Sequence, residues 1–521
     1  MGVATATLSL VVTGTGAAAT DHGAGPLPPP TRVRAAATGA QPAFTTFSLA
    51  SAGGVTCPGS TACTNTAAEP AIRAAADGTF YASSENGLGG GTSAWTSTDG
   101  GAHYLALGSP NATSVGPLGT FGPAGGDTDL AVAPQRNAQG RYNVYVASLS
   151  LANVDVSTSS DGGATWRTSY TSATVPVDDR EWIAADGASK VCISYHDIAT
   201  DDIDVSCSTD AGATFTQPSA AIDPAHAYLL QNNEIGNLVI DPSSHVIYQV
   251  FSGIASASEV ATATAGTTGY HAVWMGVSTD GGRTFVDHLV YANPDPSVSY
   301  GHQFVNVSVD KAGTVYAVFS DNHGVFYSYS TDHGTSWSTP VQVNSGPANT
   351  AIMPWSVAGG TGKLDIVFYG TSYDNPATVP DNYPMTAAWQ VYFAQSLDAA
   401  TPGASFTQTA ATPVNHYGGV CEGGVSCTGN RDLYDDFGVA ASPVTGLASI
   451  AYSDDQYVPG GPNSPGCTAA QSNTSACDHT AIATQTSGAG IVATGPLPAG
   501  GRATGTGGRA LRTRVGRLIG L

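Results

Sequence analysis

SSDGGATW, Ser159 to Trp166, decides the fold. A serine, an aspartate two residues on, a glycine pair, a threonine and a tryptophan share eight positions. Such a stretch is either a site or a turn, and recurrence separates the two. STDGGAHY runs from Ser97 to Tyr104, STDAGATF from Ser208 to Phe215, STDGGRTF from Ser278 to Phe285 and STDHGTSW from Ser330 to Trp337. A decayed copy, SLDAATPGASF, spans Ser396 to Phe406. The aspartates are 62, 49, 70, 52 and 66 residues apart. Spacing of that size marks a modular repeat.

Each copy closes a unit. In residues 127–166, DTDLAVAP, YNVYVASL and VDVSTS read as three strands and the box turns into a fourth, because β-branched and aromatic residues alternate between turn formers. Comparable units begin at Glu69, Asp179, Asn233, His302, Thr350 and Arg431. Seven units of four strands predict an all-β, seven-bladed β-propeller, with six blades as the alternative. The seventh unit has no box. HTAIATQT is expected to supply its outer strand, with FTTFSLAS helping to close the ring.

Composition agrees. A chain of 521 residues exceeds one ordinary core, and repetition solves that. Charged residues make up 11% and hydrophobic ones 41%, which suits a turn-rich, secreted β protein. A net charge of -22, with three lysines, argues against nucleic acid. Eight cysteines fall into local pairs, Cys57 with Cys63, Cys192 with Cys207, Cys421 with Cys427 and Cys467 with Cys477, which suggests disulfides and an oxidising compartment. Residues 1–43 read as an export signal and disordered segment; the apolar run ends in Ala17-Ala18-Ala19 but lacks a basic start. Residues 44–486 form the propeller, and 487–521 a Gly/Arg-rich disordered tail. No stretch elsewhere has the apolar length of a membrane span.

The repeated Ser-x-Asp-x-Gly-x-Thr-Trp resembles the Asp-box (BNR repeat) of sialidase-superfamily propellers. The resemblance covers roughly residues 65–486. It implies that the box turns between the third and fourth strands of a blade, and the physics concurs. An Asp carboxylate bonds to amides of its own turn, Gly takes the left-handed backbone, and the aromatic packs between sheets. The boxes are therefore read as scaffold.

Chemistry is expected at the other ends of the strands. The loops leading into each first strand carry Glu69, Asp127, Asp129, Asp179, Arg180, Trp182, Glu234, His302, Trp355, Arg431, Asp432 and Asp435. The loops between second and third strands add Glu85, His196, His323 and Asp454. Crowded acids cannot all stay ionised without cations, arginines or raised pKa values.

Three readings follow. A glycoside hydrolase, sialidase-type and exo-acting, would use Asp179, Glu234 and Asp432 as acids and Tyr434 as nucleophile. Arg180 and Arg431 would hold a substrate carboxylate, Trp182 and Trp355 would stack on sugar, and His196, His302 and His323 would complete binding. Departures from sialidases are plain: seven blades rather than six, no Phe/Tyr-Arg-Ile-Pro motif, with Pro-Ala-Ile-Arg at Pro70 to Arg73 in a different order, and two convincing arginines rather than three. Seven-bladed xyloglucanase-like relatives cleave neutral glucans with paired acids. The second reading is a non-catalytic glycan- or protein-binding propeller. The third puts a structural Ca²⁺ on Asp127, Asp129 and Asp435. No cofactor is required, and the expected partner is a glycan or glycoconjugate met by a monomer.

Overall fold

The structure, a computed structural model, describes residues 28–32, 34–35, 41–49, 68–86, 90–111, 114–116, 119–121, 125–150, 153–170, 172–173, 178–302, 304–459, 463, 466–470 and 473–492. The export-type start, the Cys57 and Cys63 pair and the tail beyond residue 492 lie outside these residues. Among the described residues, seven sheets of four strands or more, each with an antiparallel four-stranded blade, surround one axis, and their first strands pack side by side in chain order until the seventh meets the first. The protein is a seven-bladed β-propeller.

Blade 1 runs through Ala68–Ala74, Phe80–Glu85, Ser93–Ser97 and Leu105–Ala106. Blades 2, 3 and 4 have first strands Thr128–Arg136, Asp178–Asp186 and Asn233–Ile240. Those of blades 5, 6 and 7 are Asn306–Val309, Thr350–Ala358 and Gly438–Ala441. The repeated turn lies between third and fourth strands, as between Asn153–Ser159 and Arg167–Ser169.

That turn also joins blades. Ser159 Oγ donates to Asp161 at 2.8 Å and accepts from the Gly163 amide at 2.7 Å. Gly163 sits at φ +91°, where a Cβ would meet Leu107 of blade 1 at 2.5 Å. Gly282 of blade 4 likewise leaves room for Cys207 of blade 3. The five complete boxes thus press a side-chain-free backbone against the preceding blade, which explains the glycine as packing as well as conformation. The box aromatics follow suit: Trp166 packs on the cluster between blades 1 and 2, and Trp337 on that between blades 4 and 5.

Blade 7 closes the ring and corrects the expected strand order. HTAIATQT lies in its third strand, His479–Ser487, not its outer one. The outer strand is Ala43–Ser48 from the other end of the chain, antiparallel to it with Ser48 opposite Ala481. Before it, Thr31–Arg32 and Arg34–Ala35 run parallel to the outer strands of blades 5 and 6, so the rim begins ahead of the expected boundary at residue 44.

Disulfides join Cys192 to Cys207, Cys421 to Cys427 and Cys467 to Cys477. Among the described residues, no helix is long and apolar enough to cross a membrane.

Candidate functional site

Four first strands carry a bulge near their first residues. In blades 1, 3 and 6 the bulge puts a non-glycine residue into left-handed backbone: Glu69 at φ +47°, Arg180 at +43° and Met353 at +50°. This geometry costs roughly 1–2 kcal/mol per residue, and it turns Glu69 and Arg180 toward each other. The Asp179 carboxylate supports the turn by accepting from the Arg180 amide at 2.9 Å.

Arg180 is the hub. Its guanidinium lies between Trp182 and Phe304, with Cζ 4.2 and 4.3 Å from the ring centres. Nη1 reaches Glu69 at 3.3 Å and Asp127 at 3.4 Å, and Nη2 reaches Asp436 at 2.6 Å. Glu69 uses its other oxygen for Arg431 Nη2, at 3.3 Å, and that nitrogen also holds Asp435 at 2.5 Å. Glu69 and the Arg180 side chain are buried at 0% and 5% exposure, whereas Asp127 keeps 20%. The Glu85, Glu69 and Asp127 carboxylates each bring an oxygen within 4.8 Å of the others.

Below this layer Trp182 and Trp355 meet across the axis, ring centres 5.1 Å apart. Both are buried, and Arg73 lies 5.5 Å from the Trp355 ring centre. They plug the channel and offer no open face to a sugar, which corrects their reading as stacking platforms. Further along the first strands is a mostly apolar cavity of about 290 Å³.

The structure sorts the other candidates. Asp179 is exposed beside half-buried Glu234, and the paired-strand register places His196 opposite Asp179. Asp179 and Glu234 each feel the Arg180 charge, and Glu234 feels that of Asp179 as well. Asp129 does not join Asp127 as a cation ligand: it is buried, with Arg73 at 2.8 Å and the amides of Leu130 and Ile183 on its oxygens. Asp435 is held by Arg431. Asp432 turns away from the axis toward His416 and Asp455. The Tyr434 hydroxyl donates to Asp478 at 3.4 Å, and burial, then the Asp478 charge, pushes the phenol above its ordinary range, the wrong direction for a nucleophile. His302 is exposed and lies with His323 toward blades 5 and 6, where His323 Nδ1 is 3.4 Å from the Tyr383 hydroxyl.

Glu69, Glu85, Glu181 and Asp436, which the sequence places at this end of the strands without assigning them a role, are central to the site. Glu181 is fully buried and makes no hydrogen bond with either oxygen; burial, then Asp127, holds it well above the carboxylate range. The available signal was position: Glu69 begins its blade as Arg180 begins blade 3.

Burial is the first cause of the other shifts. It lifts Glu85 to about 8, with Asp127 adding, and Glu234 to about 7, with Asp179 adding. It lifts Asp436 to about 6 against the pull of Arg180. Raised carboxyls contribute stability that is fully present below their unfolded values near pH 4 and is lost as pH rises through the folded ones. The box aspartates act oppositely. Amide and hydroxyl hydrogen bonds from Thr214 hold Asp210 at about 2, and those from Ser336 do so for Asp332. Their contribution is present above pH 4 and lost as pH falls through about 2. Calorimetry should therefore find a maximum in mild acid, with melting temperature falling from pH 5 to 9. A flat or rising profile there would contradict the buried-acid description.

No protein-family model matches the chain, and no curated protein matches it. Solved structures do, at a distance. A protein of unknown function from Dyadobacter fermentans aligns over 84% of this chain and 98% of its own, at 11% identity and TM-score 0.43. The GH74 xyloglucanase from Xanthomonas campestris aligns over 80% of this chain and 55% of its own, at 14% identity and 0.46. A mutant of the NanB sialidase from Streptococcus pneumoniae aligns over 84% and 71%, at 10% identity and 0.39. At these values the likeness carries no argument about activity.

Proposed function

We propose that the protein is a secreted, carbohydrate-active propeller, a glycoside hydrolase that acts on neutral glycans at the axial end lined by Asp179, Glu234 and Asp127. The observation that carries this reading is the state of the arginines. Arg180 faces three carboxylates and Arg431 two, so the charge of each guanidinium is already offset by the protein's own acids. A sialic acid would add a negative charge to a site already rich in acids. A neutral sugar adds none.

Glu234 is the general acid of this reading. A half-buried carboxyl with a value of about 7 stays protonated near neutrality and can give its proton to a leaving glycosidic oxygen. Asp179, exposed beside it, is the second carboxyl that such chemistry uses. His196 sits opposite Asp179 in the strand register, and Asp127 adds a third carboxyl nearby. The disulfides support an oxidising, extracellular setting.

The test is sugar release from a panel of neutral glycans and α-sialosides. Release from a neutral glycan is expected, with a loss of about 100-fold or more in Glu234→Gln at unchanged melting temperature. Activity of the wild type should decline as Glu234 deprotonates above about pH 7. Release confined to sialosides would overturn the neutral-substrate reading. Retention of glycans without release would make the protein a binding propeller.

A further inference from the structure

Blades 6 and 7 bury a second group of acids, outside the axial site. His416 pairs with Trp389 at the edge of blade 6. Asp432 lies in the loop leading into blade 7, Asp455 just follows that blade's second strand, and Asp478 just precedes its third. One ring nitrogen of His416 and one oxygen each of Asp432 and Asp455 lie within 4.8 Å of one another, and all three residues are buried.

The histidine is oriented as metal-ligating histidines are. Its Nε2 hydrogen is donated to the Gly419 carbonyl at 2.9 Å, which leaves Nδ1 facing Asp455 Oδ2 at 2.7 Å. A backbone carbonyl on the far nitrogen fixes the ring and its tautomer. A cation at Nδ1 would take the place of the proton that the ring and Asp455 share.

An independent observation comes from Asp478. It is 3% exposed, its Oδ1 makes no hydrogen bond, and its Oδ2 has only the long Tyr434 contact. The chief charges acting on it are Asp432, Asp455 and Asp454, all of its own sign. Those acting on Asp432 are Asp455 and His416. Four carboxyls thus share one imidazole, whereas the axial acids share three guanidiniums. A buried cluster of like charges with an unpartnered oxygen is relieved by protons or by a cation.

We propose that His416, Asp432 and Asp455 form a buried structural site for a divalent transition-metal ion of the zinc type, with the buried Asp478 carboxyl as a neighbouring acid. One imidazole nitrogen with carboxylate oxygens suits Zn²⁺ or Mn²⁺ better than Ca²⁺, which prefers oxygen alone. The staples agree with a built site. Cys421–Cys427 lies between His416 and Asp432, and Cys477 directly precedes Asp478. The ion would pin the segment that carries Arg431, Tyr434 and Asp435 to the blade 6 edge, so it supports the axial site without entering it.

The experiment uses the full chain, stripped with a chelator and dialysed. Uptake of Zn²⁺, Mn²⁺, Co²⁺ and Ca²⁺ is measured by elemental analysis, and the Co²⁺ form by its visible absorption. One Zn²⁺ or Co²⁺ per chain is expected, with the absorption of a nitrogen-and-oxygen site. H416Q and D432N should each weaken uptake by about tenfold or more, and Asp127→Asn at the axis should leave it unchanged. The Co²⁺ spectrum of the wild type keeps the test valid should a variant fail to fold. No stoichiometric uptake by folded wild type, uptake of Ca²⁺ alone, or uptake lost in Asp127→Asn and kept in H416Q would each overturn the proposal.

Discussion

Arg180→Met should lower stability by about 3–5 kcal/mol, the range for removing one partner of a buried ion pair. The side chain is 5% exposed, and its loss leaves Glu69, Asp127 and Asp436 facing one another without their shared cation. Methionine roughly keeps the volume between Trp182 and Phe304, so the deficit is electrostatic rather than a cavity. Two features separate this from generic damage. The deficit should shrink at pH 5 relative to pH 8, because protonated carboxyls no longer repel. Adding Asp436→Asn to Arg180→Met should restore part of the loss, since one stranded charge is gone. Denaturant unfolding at the two pH values reads both. A loss under about 1 kcal/mol, or one independent of pH, would mean the arginine is not the hub that its contacts describe.

Why that hub was only half legible in the sequence is instructive. Arg180 stood out as a rare arginine between acids at the start of a unit. The repeated turn gave the blade, and the blade gave the end of the strand. What spacing could not give was the direction of side chains at that end. Alternation along a strand assigns faces with a period of two, and one extra residue reverses it. The bulges between Asp179 and Glu181 and between Ile352 and Trp355 make that reversal. Trp182 and Trp355 consequently meet each other across the axis instead of facing a ligand. Tyr434 and Asp432 illustrate the same limit in a loop. Left-handed backbone at Tyr434, φ +58°, lets Arg431 meet Asp435 within four residues, while Asp432 turns to His416 and the phenol to Asp478. Glu69 was visible as the first residue of a unit, but its bridging of two arginines from blades 3 and 7 is a long-range fact that no local pattern encodes. The order of strands in blade 7 was hidden for the same reason, because its third and fourth strands come from opposite ends of the chain.

That closure has the largest consequence for the fold. Residues 41–49 do more than add an edge strand. Phe44 packs on Phe393 of blade 6, ring centres 5.2 Å apart, and Phe47 lies 6.1 Å from Tyr104 of blade 1. Leu49 is buried at 1% exposure in the core shared by blades 7 and 1, and its amide donates to Thr480. One segment therefore joins blade 7 to both neighbours. Leu49→Ala should cost about 2–5 kcal/mol, as for other buried leucines. Removing residues 1–49 should cost the ring itself: three large apolar contacts disappear together, and His479–Ser487 becomes an unpaired edge open to association. The shortened chain is expected to aggregate or to melt far below the intact one, as read by light scattering and calorimetry. A synthetic peptide of residues 41–50 added during refolding should restore soluble monomer, because the missing strand can be supplied from outside by backbone pairing. A shortened chain that stays monomeric and melts with the intact protein would show that blades 6, 7 and 1 hold together without the strand. The grip of Gly101 on Thr484 and of Tyr104 on Ser449 would then be the sufficient lock between blades 1 and 7.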